Sequence, residues 1–353
     1  QEDHARHFAS DPRCQLVAVT DEIDITQRRT ELNKQLAQKY NIPYINNLED
    51  ALTRDDIDII SVCAEVERRG RVIPKCAMAG KHLYLDKPLA SSVSDLDNIV
   101  NTIEQSGVCN QMQSNRIFSP WAQAAKRAIE TKKIGSLLAV HADEMFAKGK
   151  NSSLPDDFVR QERENIKRYT FVEAKSELFD IGVYMIGLIH WLTGRNTEKV
   201  FAMTGNYFFT EHINCGIEDF GALALTLEGD IYATVAAGRV GWMSHPMSGH
   251  QQLTLVGTNG AFTFTPWDHR IEIYNNEPNF SMPEVHPGDP MGMWQSTVNE
   301  LKVNPKRGWV SLAPSTDNEA DIRAFVDCIE SGQEPIINAR KAAAISEVIL
   351  ASY

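Results

Sequence analysis

Basic charge is in short supply in this 353-residue chain. Lys and Arg total 35 against 47 Asp and Glu, a formal net charge of −12. Nucleic acid or an anionic membrane surface would call for a basic face, so neither is the expected partner. Long apolar runs are lacking too, and no stretch is long enough to span a bilayer. The six cysteines (14, 63, 76, 109, 215 and 328) form no C-x-x-C pair. That speaks against a zinc or disulfide framework and for reduced thiols in a cytoplasmic protein. His245 and His250 stand near each other without a carboxylate–histidine cluster at ligand spacing, so no metal is expected. Asn151-Ser152-Ser153 fits a glycosylation sequon, which carries no weight without secretion. No G-x-G-x-x-G loop occurs, and "QEDHARHF" is neither a signal peptide nor an initiating methionine. The reading is that residues are missing upstream of Gln1, a first strand and glycine-rich loop among them.

What is present is a sequence able to bury a core, 42% hydrophobic and 23% charged, and long enough for two domains. Up to about residue 115, short β-rich runs alternate with helical stretches. "CQLVAVTD" (14–21), "IDIISVC" (57–63), "HLYLD" (82–86) and "VCNQMQS" (108–114) read as strands. "TQRRTELNKQLAQKY" (26–40), "RVIPKCAMAG" (71–80) and "SVSDLDNIVNTIEQSG" (92–107) read as helices, and Gln1–Ser10 as a first helix. This alternation predicts an α/β, Rossmann-type doubly wound parallel sheet over residues 1–116. Residues 117–353 read as an α+β domain with a large, mostly antiparallel open-faced sheet. Residues 137–146, 220–238 and 252–264 read as long strands joined by tight turns, with a hairpin signal at Asn259-Gly260. Helices are predicted at about 178–193, 317–331 and 339–351, the last two able to pack back on the first domain. The polar, irregular stretch 147–169 reads as a surface excursion in preference to a lid over the cleft.

In "KHLYLDKPLA" (81–90) an apolar strand ends abruptly in Asp86 and Lys87, with Pro88 fixing the next φ. Taken alone, this is ordinarily a solvated turn. At the carboxyl end of a doubly wound strand it aims an amine into the crevice where ligands bind. Asp21, closing "LVAVTD", stands where a carboxylate accepts hydrogen bonds from an adenosine ribose diol and repels a 2′-phosphate. It therefore favours NAD over NADP, although an Asp at a strand end is more often a turn or helix cap. Asn115 and Arg116 follow the last strand of the first domain, where they line the cleft, contact cofactor or serve as a hinge. Arg239 and His245 could reach a substrate from the second sheet. Arg68 and Arg69 either bind an anionic group or cover a helix start.

In order and spacing, "IDIISVC", "AMAGKHLYLDKPLA", "NRIF" (115–118) and "LFDIGVYMIGLIHWLTG" (178–194) resemble the Gfo/Idh/MocA oxidoreductases. The resemblance covers essentially the whole chain. It implies NAD-dependent hydride transfer at a hydroxyl carbon of a sugar, glycoside or cyclitol, in a cleft between the two domains. The family's lysine falls on Lys87, with Asp86 in place of the usual Glu, and its second-domain motif falls on Asp180 and Tyr184. Those three are the implied catalytic residues. Cofactor contacts are implied for Cys63, Ala64, Asp86, Lys87, Pro88, Asn115 and Arg116, alongside Asp21. A lysine's pKa, about 10.4 unperturbed, is expected to fall beside a cationic nicotinamide, and Lys87 in turn is expected to lower that of Tyr184. Two other readings stay open: transient use of bound NAD for glycoside cleavage or epimerisation, and a non-catalytic sugar sensor. The family's open sheet face implies a homodimer or homotetramer. The pattern departs from the family at Ala64-Glu65, in the charged "EVERRG" (65–70), and at Lys175-Ser176.

Overall fold

The computed structural model describes residues 1–114, 116–147, 154–155, 157–171, 173–241, 250–265, 270–275, 307–311, 317 and 319–353. Asn115 and His245 lie outside the described residues.

The chain enters through α1 (Glu2–Ser10), whose first-turn acids Glu2 and Asp3 suit the positive end of the helix. His4 and Phe8, four apart, form its buried face. There follow β1 (Val19–Thr20), α2 (Gln27–Tyr40, capped by Thr26), β2 (Tyr44–Ile45) and α3 (Leu48–Leu52, capped by Asn47). Next come β3 (Ile59–Val62), α4 (Val66–Met78), β4 (His82–Leu85), α5 (Val93–Ser106, capped by Ser92) and β5 (Asn110–Met112). All strand pairs here are parallel, as the alternating pattern requires. They form two hydrogen-bonded pieces, β1-β2 and β3-β4-β5. A cavity of about 260 Å³ lies between them, lined by Val17, Val19, Asp21, Ile59, Ser61 and Cys63 among others.

Two expectations need correction. The strand read over 14–21 is hydrogen-bonded as a strand only at Val19–Thr20, where β2, unseen in the sequence, lies alongside. Cys14 and Leu16 instead pack against the cluster of Phe8, Tyr84 and Phe325. Helix α4 begins at Val66, five residues before the expected start, and carries Pro74 inside it. Pro74 has no N–H for the Gly70 carbonyl, and Asn98 Nδ2 donates to that oxygen instead at 3.3 Å.

The second half opens with α6 (Pro120–Glu130), which has proline in its first turn, and β6 (Leu137–Ala147). It continues through β7 (Gln161–Glu162), a π-helical turn (Leu178–Gly182), α7 (Val183–Thr193), β8 (Thr197–Asn206) and α8 (Thr210–Cys215). The remaining elements are β9 (Phe220–Leu227), β10 (Ile231–Val240), β11 (Gln251–Gly257), β12 (Gly260–Thr265), β13 (Arg270–Asn275), β14 (Arg307–Ser311), α9 (Ala320–Ser331) and α10 (Ala339–Leu350). Among the described residues the strands form one nine-stranded sheet, in the order β14-β13-β12-β11-β6-β10-β9-β8-β7. Every pair is antiparallel except β6 with β10.

The run over 220–238 is a hairpin of two strands. Leu227 pairs with Ile231 across Glu228-Gly229-Asp230, where Gly229 and Asp230 take positive φ. The excursion over 147–169 contributes β7, which pairs with β8 and forms the sheet edge, because Gln161 and Glu162 meet Asn206 and Gly205 in register. One sheet face is apolar and covered (Val140, Ala142, Leu223, Leu225, Ala233, Val235) and packs toward α7. The other is open, with Phe201 67% and Tyr232 63% exposed. The two C-terminal helices return to the first sheet. Asp321 accepts from Ser114 N and Gln111 Nε2, Ser346 Oγ accepts from Leu89 N, and Phe325 meets Tyr84.

Candidate functional site

Strand β4 delivers Asp86 and Lys87 at its carboxyl end, followed by a cis Lys87–Pro88 bond. The turn is held from behind by Arg69 of α4, which is 4% exposed. Its guanidinium donates to the Ala64 carbonyl (2.8 Å), the Asp86 carbonyl (2.8 Å), the Asp86 carboxylate (2.7 Å) and the Pro88 carbonyl. The carboxylate also accepts from Lys87 N at 2.9 Å. Burial favours neutral Asp86, but Arg69, then His4 and Lys87, outweigh it and hold the carboxyl well below its ordinary value.

Lys87 itself is 8% exposed. Its Nζ donates to Asp180 Oδ1 at 3.0 Å and to the Asp180 carbonyl, and lies 4.2 Å from the centroid of the Tyr184 ring. Asp180 sits in the π-helical turn and Tyr184 in the first turn of α7, so the widened turn and the helix it enters present both to one amine. Lys175 Nζ reaches Asp180 Oδ1 at 3.6 Å. Among the protein's own groups, the Lys87 ammonium is favoured rather than disfavoured. Burial works against the ammonium, but Asp180, then Tyr184 and Asp86, raise its pKa above the ordinary lysine value. Tyr184 is likewise raised, because burial outweighs the pull of Lys87. For Asp180 the balance is reversed: burial pushes it up, and Lys87 and Lys175 bring it below the usual carboxylate range.

Around this cluster stand two buried carboxylate–arginine pairs. Arg116 bonds to Glu144 of β6, and its guanidinium carbon lies 5.4 Å from the Tyr184 ring and 6.0 Å from that of Phe146. Arg239 of β10 donates to Glu177 at 3.0 Å, with its guanidinium carbon 5.5 Å from the same Phe146 ring. Glu177 in turn meets His212 Nε2 at 3.2 Å. Next to it, Glu218 accepts from Leu178 N (2.9 Å), the Tyr353 hydroxyl (2.6 Å) and Ser176, and burial pushes its pKa up to about 7.

Asp21 follows β1 and does not stand open. Its carboxylate accepts from Arg68 at 2.7 Å, Asn33 at 3.0 Å and Glu22 N at 2.9 Å. Arg68 also binds Glu22 and Glu65, so it serves this acidic group at the start of α4. Cys63 and Ala64 follow β3; the Cys63 sulfur lies 3.1 Å from His4 Nδ1. Glu67 accepts from Tyr169 N and Thr170 N, both at 3.0 Å, and so fastens α4 to the second half.

The structure thus brings Lys87, Asp180, Tyr184 and Arg116 together, with Arg239 one ring further out. Asp21, Cys63, Ala64 and Asp86 line up at the carboxyl ends of β1, β3 and β4, where a doubly wound sheet holds a dinucleotide. A carboxylate and an amine at these strand ends are groups that a dinucleotide's ribose and reacting ring could use, so the residues fit the cofactor of the matched fold. Among the described residues no group of three or more His, Cys, Asp or Glu could hold a metal ion. Sequence reasoning missed the supporting roles of Arg69, Glu67, Glu144, Glu177 and His212. The one available signal was the charge density of "EVERRG".

Two family models match the chain. "Oxidoreductase family, NAD-binding Rossmann fold" covers residues 1–114 and "GFO/IDH/MocA C-terminal domain" covers residues 122–263. The chain is 23% identical over 262 residues to the uncharacterized oxidoreductase YrbE of Bacillus subtilis, spanning 73% of this chain and 68% of that one. It is 21% identical over 311 residues to the D-apiose dehydrogenase of Paraburkholderia graminis, spanning 86% and 72%. Among solved structures, an oxidoreductase from Agrobacterium radiobacter in complex with NAD+, L-tartaric acid and magnesium superposes with a TM-score of 0.72 at 15% identity, over 100% and 92% of the two chains. With both halves matched and the motif residues gathered at one strand end, the chain belongs to the Gfo/Idh/MocA family of oxidoreductases, with an NAD-binding Rossmann fold in its first 114 residues.

Proposed function

We propose that the protein is an NAD-dependent dehydrogenase acting on a hydroxyl carbon of a sugar, glycoside or cyclitol. Residues 1–116 hold the cofactor and residues 117–353 bind substrate and form the oligomer. The observation that carries this reading is the contact of one buried ammonium, Lys87, with both Asp180 and the Tyr184 ring at the carboxyl end of β4. When bound, the nicotinamide supplies or takes up the hydride. Lys87 serves the accompanying proton: it donates to the carbonyl oxygen in reduction and receives the hydroxyl proton in oxidation. Asp180, 3.0 Å away, orients the amine and balances its charge. Tyr184 hydrogen-bonds the substrate hydroxyl, and Arg116 and Arg239, on either side of Phe146, contact the remainder of the molecule. A screen of sugars and polyols with NAD, followed by NADH absorbance, tests the reading; silence across neutral and acidic members of the panel would count against it.

Asp21 is assigned to the adenosine ribose, which makes NAD the preferred cofactor. Arg68 lies close enough to receive a 2′-phosphate once the carboxylate is gone. Asp21→Ala is therefore expected to shift the NADP:NAD ratio of dissociation constants toward NADP by on the order of tenfold or more. Fluorescence titration of both cofactors measures this, and an unchanged ratio would remove Asp21 from the role.

The open sheet face is assigned to self-association as a homodimer or homotetramer. Phe201 and Met203 of β8 and Tyr232 of β10 are exposed on it. Phe201→Glu combined with Tyr232→Glu is expected to yield monomers in light scattering, while an unchanged mass would place the interface elsewhere. Six free thiols suit a reducing compartment, and the cytoplasm is the location we assign.

A further inference from the structure

We propose that Cys63 is a histidine-activated thiol, a site of covalent modification by soft electrophiles and by hydrogen peroxide at the end of β3. The geometry is built rather than incidental. His4 comes from the buried face of α1 and is 4% exposed. Its ring is fixed edge-on by Tyr84, with centroids 4.9 Å apart at 73°. This fixed ring places Nδ1 3.1 Å from the Cys63 sulfur and 2.9 Å from Ser61 Oγ. One imidazole nitrogen is thereby shared between a hydroxyl and a thiol, a pairing that activates cysteine when the imidazole carries a second proton.

The surroundings favour that charge state. Burial alone would disfavour an imidazolium, but Cys63 and the Asp86 carboxylate outweigh it, and the His4 pKa is raised. For Cys63 burial acts upward and the pull of His4 outweighs it, lowering the thiol to about 7. Burial pushes Cys76 up to about 12 and Cys109 to about 11, and raises Cys14 and Cys328 as well. Cys63 is also partly exposed, unlike Cys76.

The chemistry balances without further reagents. With an alkyl iodide, the thiolate forms a sulfur–carbon bond as the carbon–iodine bond breaks and iodide leaves. With hydrogen peroxide, a sulfur–oxygen bond forms and the oxygen–oxygen bond breaks. The departing hydroxide takes the His4 proton and leaves as water. Peroxide is reduced, and the thiol is oxidised to a sulfenic acid. Cys63 neighbours Ala64 on the strand end assigned above to the cofactor. On that assignment, a Cys63 adduct and bound NAD exclude each other.

The experiment is a short pulse of iodoacetamide at pH 7 on the intact protein, with each cysteine followed by peptide mass. Cys63 is expected to be labelled at least on the order of tenfold faster than Cys14, Cys109 or Cys328, reflecting its larger thiolate fraction. His4→Gln should bring it down to their rate, and dilute peroxide should produce a dimedone-reactive sulfenic acid at Cys63 first. Should His4→Gln fail to fold, thiolate absorbance near 240 nm at pH 7 decides, since Cys63→Ser is expected to remove about half a thiolate equivalent. Labelling of Cys63 no faster than the others, or no loss of thiolate absorbance, would overturn the proposal. Saturating NAD should slow the labelling. Fast labelling that NAD does not slow would leave the activated thiol standing and overturn only the exclusion.

Discussion

Lys87→Met is expected to lower kcat by about 10²–10⁴-fold, the usual worth of a positioned acid–base group. Methionine preserves the reach and the apolar stem but removes the donor that Asp180 and Tyr184 face. Cofactor affinity should change little, because the ribose contact assigned to Asp21 lies at the end of a different strand. Tyr184→Phe should also slow turnover, and the double variant should be little worse than the slower single one, as for groups acting as a unit. The charge state of Lys87 adds a second signature. Its pKa is raised, so the amine able to accept a proton is scarce at neutral pH. In the direction of alcohol oxidation, kcat/KM should climb with pH through the range where an ordinary lysine levels off. In the direction of reduction the ammonium is already in place, and the rate should stay flat until high pH. Steady-state kinetics, with circular dichroism to confirm folding, reads both. A folded Lys87→Met enzyme with near-native kcat would remove Lys87 from the chemistry.

Arg69→Met is expected to destabilise the fold by about 2–4 kcal/mol, somewhat under the cost of breaking a fully buried ion pair because the Asp86 side chain is 26% exposed. The variant strips hydrogen bonds from three carbonyls and one carboxylate together, all on the turns that end β3 and β4. Asp86, half-buried at the strand end, would lose its strongest partner and keep Lys87 N, His4 and Lys87 to favour its charge. Arg68→Met removes an equally long side chain one residue away, but its partners Asp21, Glu22 and Glu65 have other arginines or Asn33 beside them. It should cost appreciably less. Urea denaturation of the two variants measures the contrast. Equal small losses would mean that the turn carrying Lys87 is held by something other than Arg69.

Much of this architecture could be read from local pattern, because capped helices and apolar strands announce themselves within a few residues. Helices α2, α5, α9 and α10 fall within a few residues of their expected bounds, and the Asn259-Gly260 signal lies at the β11–β12 hairpin. Elements whose existence depends on a partner were not legible. Strand β2 is two residues long and is a strand only because β1 runs beside it; β7 is one only because β8 does. The site divides along the same line. Lys87, Asp180 and Tyr184 came from the family resemblance of the two motifs that carry them, and the structure gathers them. The pairs that surround them, Arg116–Glu144 and Arg239–Glu177, join residues 28 and 62 positions apart with no local signature. For the same reason the pairing of Lys87 with Asp180 has no local signature, since the carboxylate lies 93 residues on.

The central claim is tested most directly by hydride transfer. Purified protein is mixed with NAD and a panel of sugars, glycosides and cyclitols, and absorbance at the NADH band is followed with Lys87→Met in parallel. The account predicts NADH accumulation with at least one hydroxyl substrate, slowed when its reacting carbon carries deuterium and nearly abolished in the variant. A substrate consumed with no net NADH would make the cofactor a transient carrier, and binding without any turnover would make the protein a sensor; either result contradicts the dehydrogenase reading.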